Sequence, residues 1–253
     1  MEGVTSPAPE NAGLFAAPSR RARHRASEPV APTLLASPVM ASLNFMPRRV
    51  ALAKRGLDIV VASIGLVVTA PLWAIIAFAI RLDSPGEIFY RQIRVGRVLA
   101  DRTELFQILK FRSMRHDAEA RTGAVWAQRG DPRVTRVGRF LRKTRLDELP
   151  QMLNVIYGDM SVVGPRPERP ALYGKLDREV PFFVDRTAGL RPGVTGMTQV
   201  RQGYDNSIED VRRKVAYDAA YAMQLATLRG WLVADLSIML ATVRTMITGR
   251  GAQ

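Results

Sequence analysis

The longest apolar run in the chain, residues 59 to 80, reads IVVASIGLVVTAPLWAIIAFAI and contains no charged residue. As a straight helix it would measure roughly 33 Å, about the thickness of a bilayer hydrocarbon core. Pro71 sits near its middle, where a proline removes one backbone hydrogen bond and crowds the preceding turn. Basic residues flank both sides: Arg48, Arg49, Lys54 and Arg55 before it, Arg81, Arg91, Arg94 and Arg97 after it. The charge asymmetry that orients a spanning helix is therefore missing. Three structures fit the run: a helix that enters the membrane, breaks at Pro71 and returns; a spanning helix; and a buried soluble helix. The first satisfies both the proline and the charge pattern.

Downstream the pattern changes period. DSPGEIFYRQIRVGR, 83 to 97, reads as a Ser-Pro-Gly turn, a short strand and a second turn at Gly96. LFQILKFRSM, 105 to 114, fits either a partner strand or a short helix, and 115 to 132 fits a loop. VTRVGRFLRKTR, 134 to 145, places Val134, Val137, Phe140 and Leu141 on one helical face. Arg133, Arg136, Arg139 and Arg142 then fan over a solvated remainder. A further helix is expected from Asp147, a favoured N-cap residue, with Pro150 tolerated in its first turn. GDMSVVGPRPERP and AGLRPGVTGMTQVRQG are glycine- and proline-punctuated loops, the first holding Arg166 between two prolines. Two helices close the chain, the second beginning at Trp231 and showing Leu232, Leu236, Met239, Leu240, Val243 and Met246 on one face. Trp231, Arg229 and Arg244 suit an interfacial helix there, and a packed core helix fits the same pattern. No internal repeat is present. The resulting division is a Pro/Ala/Ser/Arg-rich disordered tail (1–47), a membrane helix (48–82) and a cytosolic domain (83–253).

Composition narrows the chemistry. The chain of 253 residues has no cysteine, which excludes disulfides, thiolate zinc sites and cysteine nucleophiles. Its two histidines, His24 and His116, are too few and too far apart for a histidine metal site. Net charge is +14, and 32 of the 37 basic residues are arginine, the side chain suited to two-pronged phosphate contacts. Such a charge points to phosphate in nucleic acid, lipid headgroups or a substrate. A membrane-anchored nucleic-acid-binding protein is the rival reading, but the chain shows no helix-turn-helix, RNP or zinc pattern. The arginines of the tail, Arg20, Arg21, Arg23 and Arg25, read as solvated, with contact to anionic lipid as the alternative, and no secretory signal surrounds them.

Within this basic chain TRLDELPQ places two carboxylates side by side, Asp147 and Glu148. Consecutive helical residues point about 100° apart, so the two favour divided labour: one attacks or takes a proton, the other holds a divalent ion. On residue types alone, a capping Asp beside a surface Glu is the favoured account of the pair.

A set of segments in fixed order decides between these. KRGLDI, IFYRQIRVG, KFRSM, DPRVTRVGRFLRKTRLDELPQ, GPRPERP, RPGVTG and the EDVRRKVAYDAAY region, within a stretch from about Lys54 to Gly249, resemble the bacterial sugar transferases, the monotopic phosphoglycosyl transferases acting on polyprenyl phosphate. Family members often carry Ser-Pro at the membrane break, where this chain has Ala70-Pro71 with Thr69 nearby. The resemblance implies a mostly helical fold with a small β element (α+β), a re-entrant helix-break-helix and interfacial amphipathic helices on the cytoplasmic leaflet of the bacterial inner membrane. It implies transfer of a sugar-1-phosphate, leaning to a hexose, from a UDP-sugar to polyprenyl (undecaprenyl) phosphate through an aspartyl-linked phosphosugar, with release of UMP. By position Asp147 matches the nucleophile and Glu148 a Mg²⁺ ligand. Lys110, Arg112, Arg142 and Arg166 match phosphate contacts, Asp218 a polar site residue, and Pro71 the membrane break. Partners are then the UDP-sugar, polyprenyl phosphate and leaflet lipids rather than nucleic acid, with homo-oligomerisation open.

Overall fold

A computed structural model describes residues 46–118, 130–202 and 207–248. The expected disordered tail, but for its last two residues, and the greater part of the 115–132 loop lie outside them. The first element is a single helix, α1 (Arg48–Asp83), with Pro71 inside it. Pro71 does not end the helix. Thr69 Oγ1 donates to the Gly65 carbonyl at 2.7 Å and accepts from Trp73 Nε1 at 3.1 Å, so its hydroxyl is used within the helix.

β1 (Phe89–Val98) and β2 (Thr103–Phe111) follow as an antiparallel hairpin, with Phe89 opposite Phe111 and Tyr90 opposite Lys110. The second segment is thus a strand, and Gly96, expected in a turn, lies within β1 beside a register shift between Val95 and Val98. A hydrogen-bonded partner decides what periodicity alone left open. α2 (Arg136–Thr144) is capped by Thr135, whose hydroxyl accepts from Gly138 N, while Asp83 accepts from Val137 N and ties the end of α1 to this helix. Leu141 is buried as expected, but Phe140 is exposed.

After α2 the chain departs from expectation. Arg145 adopts the left-handed conformation (φ 56°), and Leu146–Glu148 form one 3₁₀ turn before α3 (Gln151–Tyr157) begins behind Pro150. Asp147 is therefore not a helix cap. Arg145 ends one helix and re-aims the chain into the turn that carries the acidic pair. A non-glycine residue held left-handed costs about 1–3 kcal/mol, a strain that packed surroundings maintain.

Two short parallel strands, β3 (Ser161–Val163) and β4 (Gly193–Thr195), bring the glycine-rich loops together, with α4 (Pro170–Glu179) between them in sequence. α5 (Met197–Arg201), α6 (Ile208–Gln224) and α7 (Leu228–Thr248) complete the chain. The main core joins Val50 and Ala62 of α1 to Val155, Val163, Tyr221 and Trp231. A second core lies under α4 around Tyr173 and Phe183, and a third packs Ile76 and Ile80 of α1 against Phe111 and Leu141.

The basic residues of KRGLDI, read as membrane flanks, are spent inside the protein. Lys54 Nζ donates to Asp235 at 2.6 Å, and Asp58 accepts from Ser161 and Val162. Arg55 donates to the carbonyls of Val155 and Ile156, capping the end of α3. Trp231 is also buried, donating to Asp235, so it belongs to the core rather than to an interface. α1 and α7 also carry large apolar side chains on the outside. Val67, Val68 and Phe78 of α1 are 75%, 72% and 67% exposed, and Leu232, Leu236, Leu240 and Val243 of α7 are also exposed. α1 is long and apolar enough to cross a membrane, yet both its first turns and its last turns pack on the same body.

Candidate active site

Three local devices assemble one cavity of about 300 Å³. In β2 the alternation that buries Ile108 sends Lys110 to the same face. Asn154 of α3 fixes this strand by accepting from Leu109 N and donating to the Gln107 carbonyl. α2 lies against the backbone after β2 because Gly138 has no side chain: a Cβ there would fall 2.0 Å from the Ser113 carbonyl oxygen. The GPRP loop is brought in the same way, since a Cβ on Gly164 would meet the Arg191 carbonyl oxygen at 2.5 Å.

At the centre stand Asp147 and Glu148, each only 7% exposed. Lys110 Nζ donates to Glu148 Oε1 at 2.7 Å, and Arg166 Nη2 reaches the same oxygen at 3.0 Å. Burial disfavours the Glu148 charge, but Lys110, Arg166 and Arg145 outweigh it and hold the carboxyl far below its ordinary range. Asp147 moves the other way. Burial pushes its carboxyl up to about 6, Lys110 opposing and the Glu148 charge adding to the rise, with Arg142 and Arg166 opposing further. The two neighbours thus differ in proton affinity, as a pair with separate tasks should. A helix cap was expected to favour the ionised Asp147; no cap is present, and burial outweighs the surrounding cations, which only limit the rise.

Of the residues singled out in the sequence, Lys110, Arg112, Arg142, Asp147, Glu148 and Arg166 all line this cavity. Arg112 is committed elsewhere: its Nη atoms donate to the carbonyls of Pro85 and Ser84 and fasten the turn between α1 and β1. Asp218 is buried on α6, where it accepts from Arg186 at 3.1 Å and from Thr198 Oγ1 at 2.8 Å. It does not line the cavity but fixes Thr198, which does. Arg133 is not a solvated member of a fan. It grips Asp131 through Nε and Nη2 and lines the cavity.

Sequence reasoning passed over Arg94, Arg145, Glu168, Arg169, Gln199 and Lys214, which also line the cavity. Arg94 was legible: Tyr90, Gln92 and Arg94 alternate along β1 and share its cavity face. Burial, then the Arg166 charge, pull the Arg94 guanidinium down to about 10, with Glu168 opposing. Cations crowded to this degree in a buried space favour a multiply charged anion. Glu168 and Lys214 form a buried ion pair across 46 positions, a separation that leaves no local signal.

A strained turn presenting two buried carboxylates beneath lysine and arginine side chains is the layout of a phosphoryl-transfer site. The bacterial sugar transferase family profile matches residues 49–249, and the chain belongs to this family. It is 42% identical over 221 residues to a UDP-N-acetylgalactosamine-undecaprenyl-phosphate N-acetylgalactosaminephosphotransferase of Aeromonas hydrophila, covering 87% of this chain and 47% of that protein. The chain thus spans about half the length of that relative. It is 44% identical over 206 residues to a UDP-glucose:undecaprenyl-phosphate glucose-1-phosphate transferase of Caulobacter vibrioides, covering 80% of this chain and 73% of the other. An exopolysaccharide production protein of Rhizobium leguminosarum is 38% identical over 204 residues, which cover 78% of this chain and 97% of that one.

Proposed function

We propose that the protein transfers a sugar-1-phosphate, a hexose derivative, from a UDP-sugar to undecaprenyl phosphate and so initiates assembly of a surface glycan. The observation that carries this reading is the acidic pair buried among Lys110, Arg142, Arg145 and Arg166 in one cavity. The names of the relatives supply the substrate classes. An Asp147 Oδ atom attacks the β-phosphorus of the UDP-sugar. The bond from that phosphorus to the bridging oxygen breaks, and UMP leaves with the oxygen and its electron pair. An oxygen of the lipid phosphate then attacks the same phosphorus, the phosphorus–Asp147 bond breaks, and the carboxylate returns. Lys110, Arg142 and Arg166 bind the phosphates, stabilise charge on the transferring group and keep Asp147 ionised near neutral pH.

The residues fit Mg²⁺ as a shared ion rather than a caged one. No cluster of three acidic or histidine ligands exists among the described residues. Glu148 Oε1 is taken by Lys110 and Arg166, whereas its Oε2 makes no hydrogen bond among the described residues. Glu148 is therefore the protein ligand of an ion whose other partners are substrate phosphates and water. When bound, Mg²⁺ neutralises phosphate charge that would otherwise repel the attacking carboxylate.

The proposed location is the cytoplasmic face of the inner membrane. α1 enters and leaves the bilayer on one side, its exposed middle in lipid and α7 at the surface. Packing of both ends of α1 on one body supports this, as do the apolar faces of both helices. The test is UMP release by the full chain in lipid nanodiscs, with a panel of UDP-sugars, undecaprenyl phosphate and Mg²⁺. Release that requires a UDP-sugar, and a lipid-linked sugar diphosphate product, is expected; release from no donor sinks the reading.

A further inference from the structure

One wall of the cavity takes no part in the chemistry above. Glu168 follows the GPRP loop, Leu172 comes from α4, Thr198 and Gln199 from α5, and Lys214 from α6. Gln199 keeps only 7% of its surface exposed, yet neither its Oε1 nor its Nε2 hydrogen bonds to any group among the described residues. Burying an amide in this way leaves the desolvation of each unpartnered group uncompensated, so it calls for an explanation. A loose segment does not provide one. Thr198 is tied to Asp218 and through it to Arg186, and Gln202 N bonds back to the Thr198 carbonyl. Gly196 lies so near the amide that a Cβ there would sit 2.6 Å from Gln199 Oε1. The segment is fixed while its one amide stays unsatisfied, in the wall of a cavity shaped for substrate.

The chemistry of this wall selects the part of the substrate that meets it. It offers an amide that both donates and accepts, the Glu168 carboxylate, the Lys214 ammonium and a single apolar side chain, Leu172. Adjacent hydroxyls, each a donor and an acceptor, match such a set. A flat uracil ring is better served by an aromatic face, and the aromatic side chains lining the cavity, Tyr90, Phe111 and His116, belong to the hairpin and the segment after it.

We infer that Gln199 is a specificity-determining residue whose amide hydrogen bonds hydroxyl groups of the sugar on the nucleotide donor. This rests on the reading of the protein as a UDP-sugar transferase. The Asp218–Thr198 bond is the positioning contact behind it.

The experiment uses the full chain in nanodiscs as wild type, Gln199→Leu and Gln199→Glu. UMP release is measured with UDP-glucose, UDP-galactose, UDP-N-acetylglucosamine and UDP-N-acetylgalactosamine, alongside equilibrium binding of UMP alone. Leu nearly conserves volume and removes the unsatisfied amide, so melting of Gln199→Leu at or above the wild-type temperature is expected. For the preferred donor its KM should rise about tenfold or more, with the preference among the four donors flattened and UMP affinity unchanged. Gln199→Glu, which keeps acceptors but loses the donor, should change the ranking instead of lowering all donors equally. Loss of UMP affinity in parallel with donor affinity would place Gln199 on the nucleotide and overturn the inference. So would one common factor for all donors, or a fall in melting temperature that accounts for the lost activity. Wild type releasing UMP from no donor contradicts the proposed function itself. Wild type active with both variants indistinguishable from it contradicts only the role of Gln199.

Discussion

At the scale of single residues, the proposed site divides the side chains assigned to phosphate from those that bear structure. Arg166 reaches Glu148 inside the cavity, whereas Arg139 of α2 is exposed and lines no part of it. Arg166→Ala should reduce UMP release about ten- to more than a hundredfold, the worth of a charge-assisted hydrogen bond of about 1.5–3 kcal/mol, and Arg139→Ala should change it little. Equal losses would mean that the cavity is misassigned. Glu168 supplies a test by pH. Burial opposes its charge, but Lys214 and then Arg186 outweigh burial and bring its carboxyl down to about 2 from an ordinary 4.5. A depressed folded value contributes stability that is complete above the unfolded value and fades as pH falls toward the folded one. Between about pH 5 and pH 3 the melting temperature of wild type should therefore fall more steeply than that of Glu168→Gln; parallel curves would contradict the pairing. Asp147, Glu148, Lys110 and Arg166 were legible because short motifs carry them, whereas Glu168, Lys214 and Gln199 were not, because only the tertiary fold joins them.

At the scale of elements, the informative surprise is how α1 is held. Lys54 and Arg55 looked like charges placed for a membrane boundary, and both instead bond, as does Asp58 beside them, to partners on α7, α3 and β3. Asp235 gathers Lys54, Tyr221 and Trp231 around one buried carboxylate. Asp235→Ala leaves the Lys54 ammonium buried without it and should destabilise the fold by about 3–5 kcal/mol, read by denaturant unfolding in detergent. Asp235→Asn, which keeps the shape, should lose less; indifference to both would show that α1 is anchored by apolar packing alone. The helical segments and the long apolar run were plain in the sequence, since period 3.6 and length report them directly. The 3₁₀ turn was hidden, because a left-handed arginine at 145 and a proline at 150 shorten a helix that Asp147 seemed to start. β1 ran through Gly96 for a similar reason: pairing with β2 overrides the local preference of a glycine for turns.

At the scale of the whole molecule, a basic cavity and an apolar exterior share one small body. The first suits the phosphates of both proposed substrates, and the second has α1 and α7 presenting Val67, Val68 and Leu240 outward. A bilayer suits such a surface. The re-entrant arrangement predicts that both ends of α1 face the cytoplasm. Arg49→Cys and Glu87→Cys, single thiols in a chain with none of its own, should react with an impermeant reagent from the same side of oriented vesicles. Labelling from opposite sides would replace it with a spanning helix. The central claim, that Asp147 carries the sugar phosphate between donor and lipid, has a more direct test in the mass of the intact protein. Wild type mixed with its UDP-sugar and Mg²⁺, without lipid acceptor, should gain one sugar phosphate and release one UMP, and undecaprenyl phosphate should then remove the adduct. Asp147→Asn should gain none and turn over no donor. An adduct on the Asn variant, or sustained turnover by it, would contradict the account.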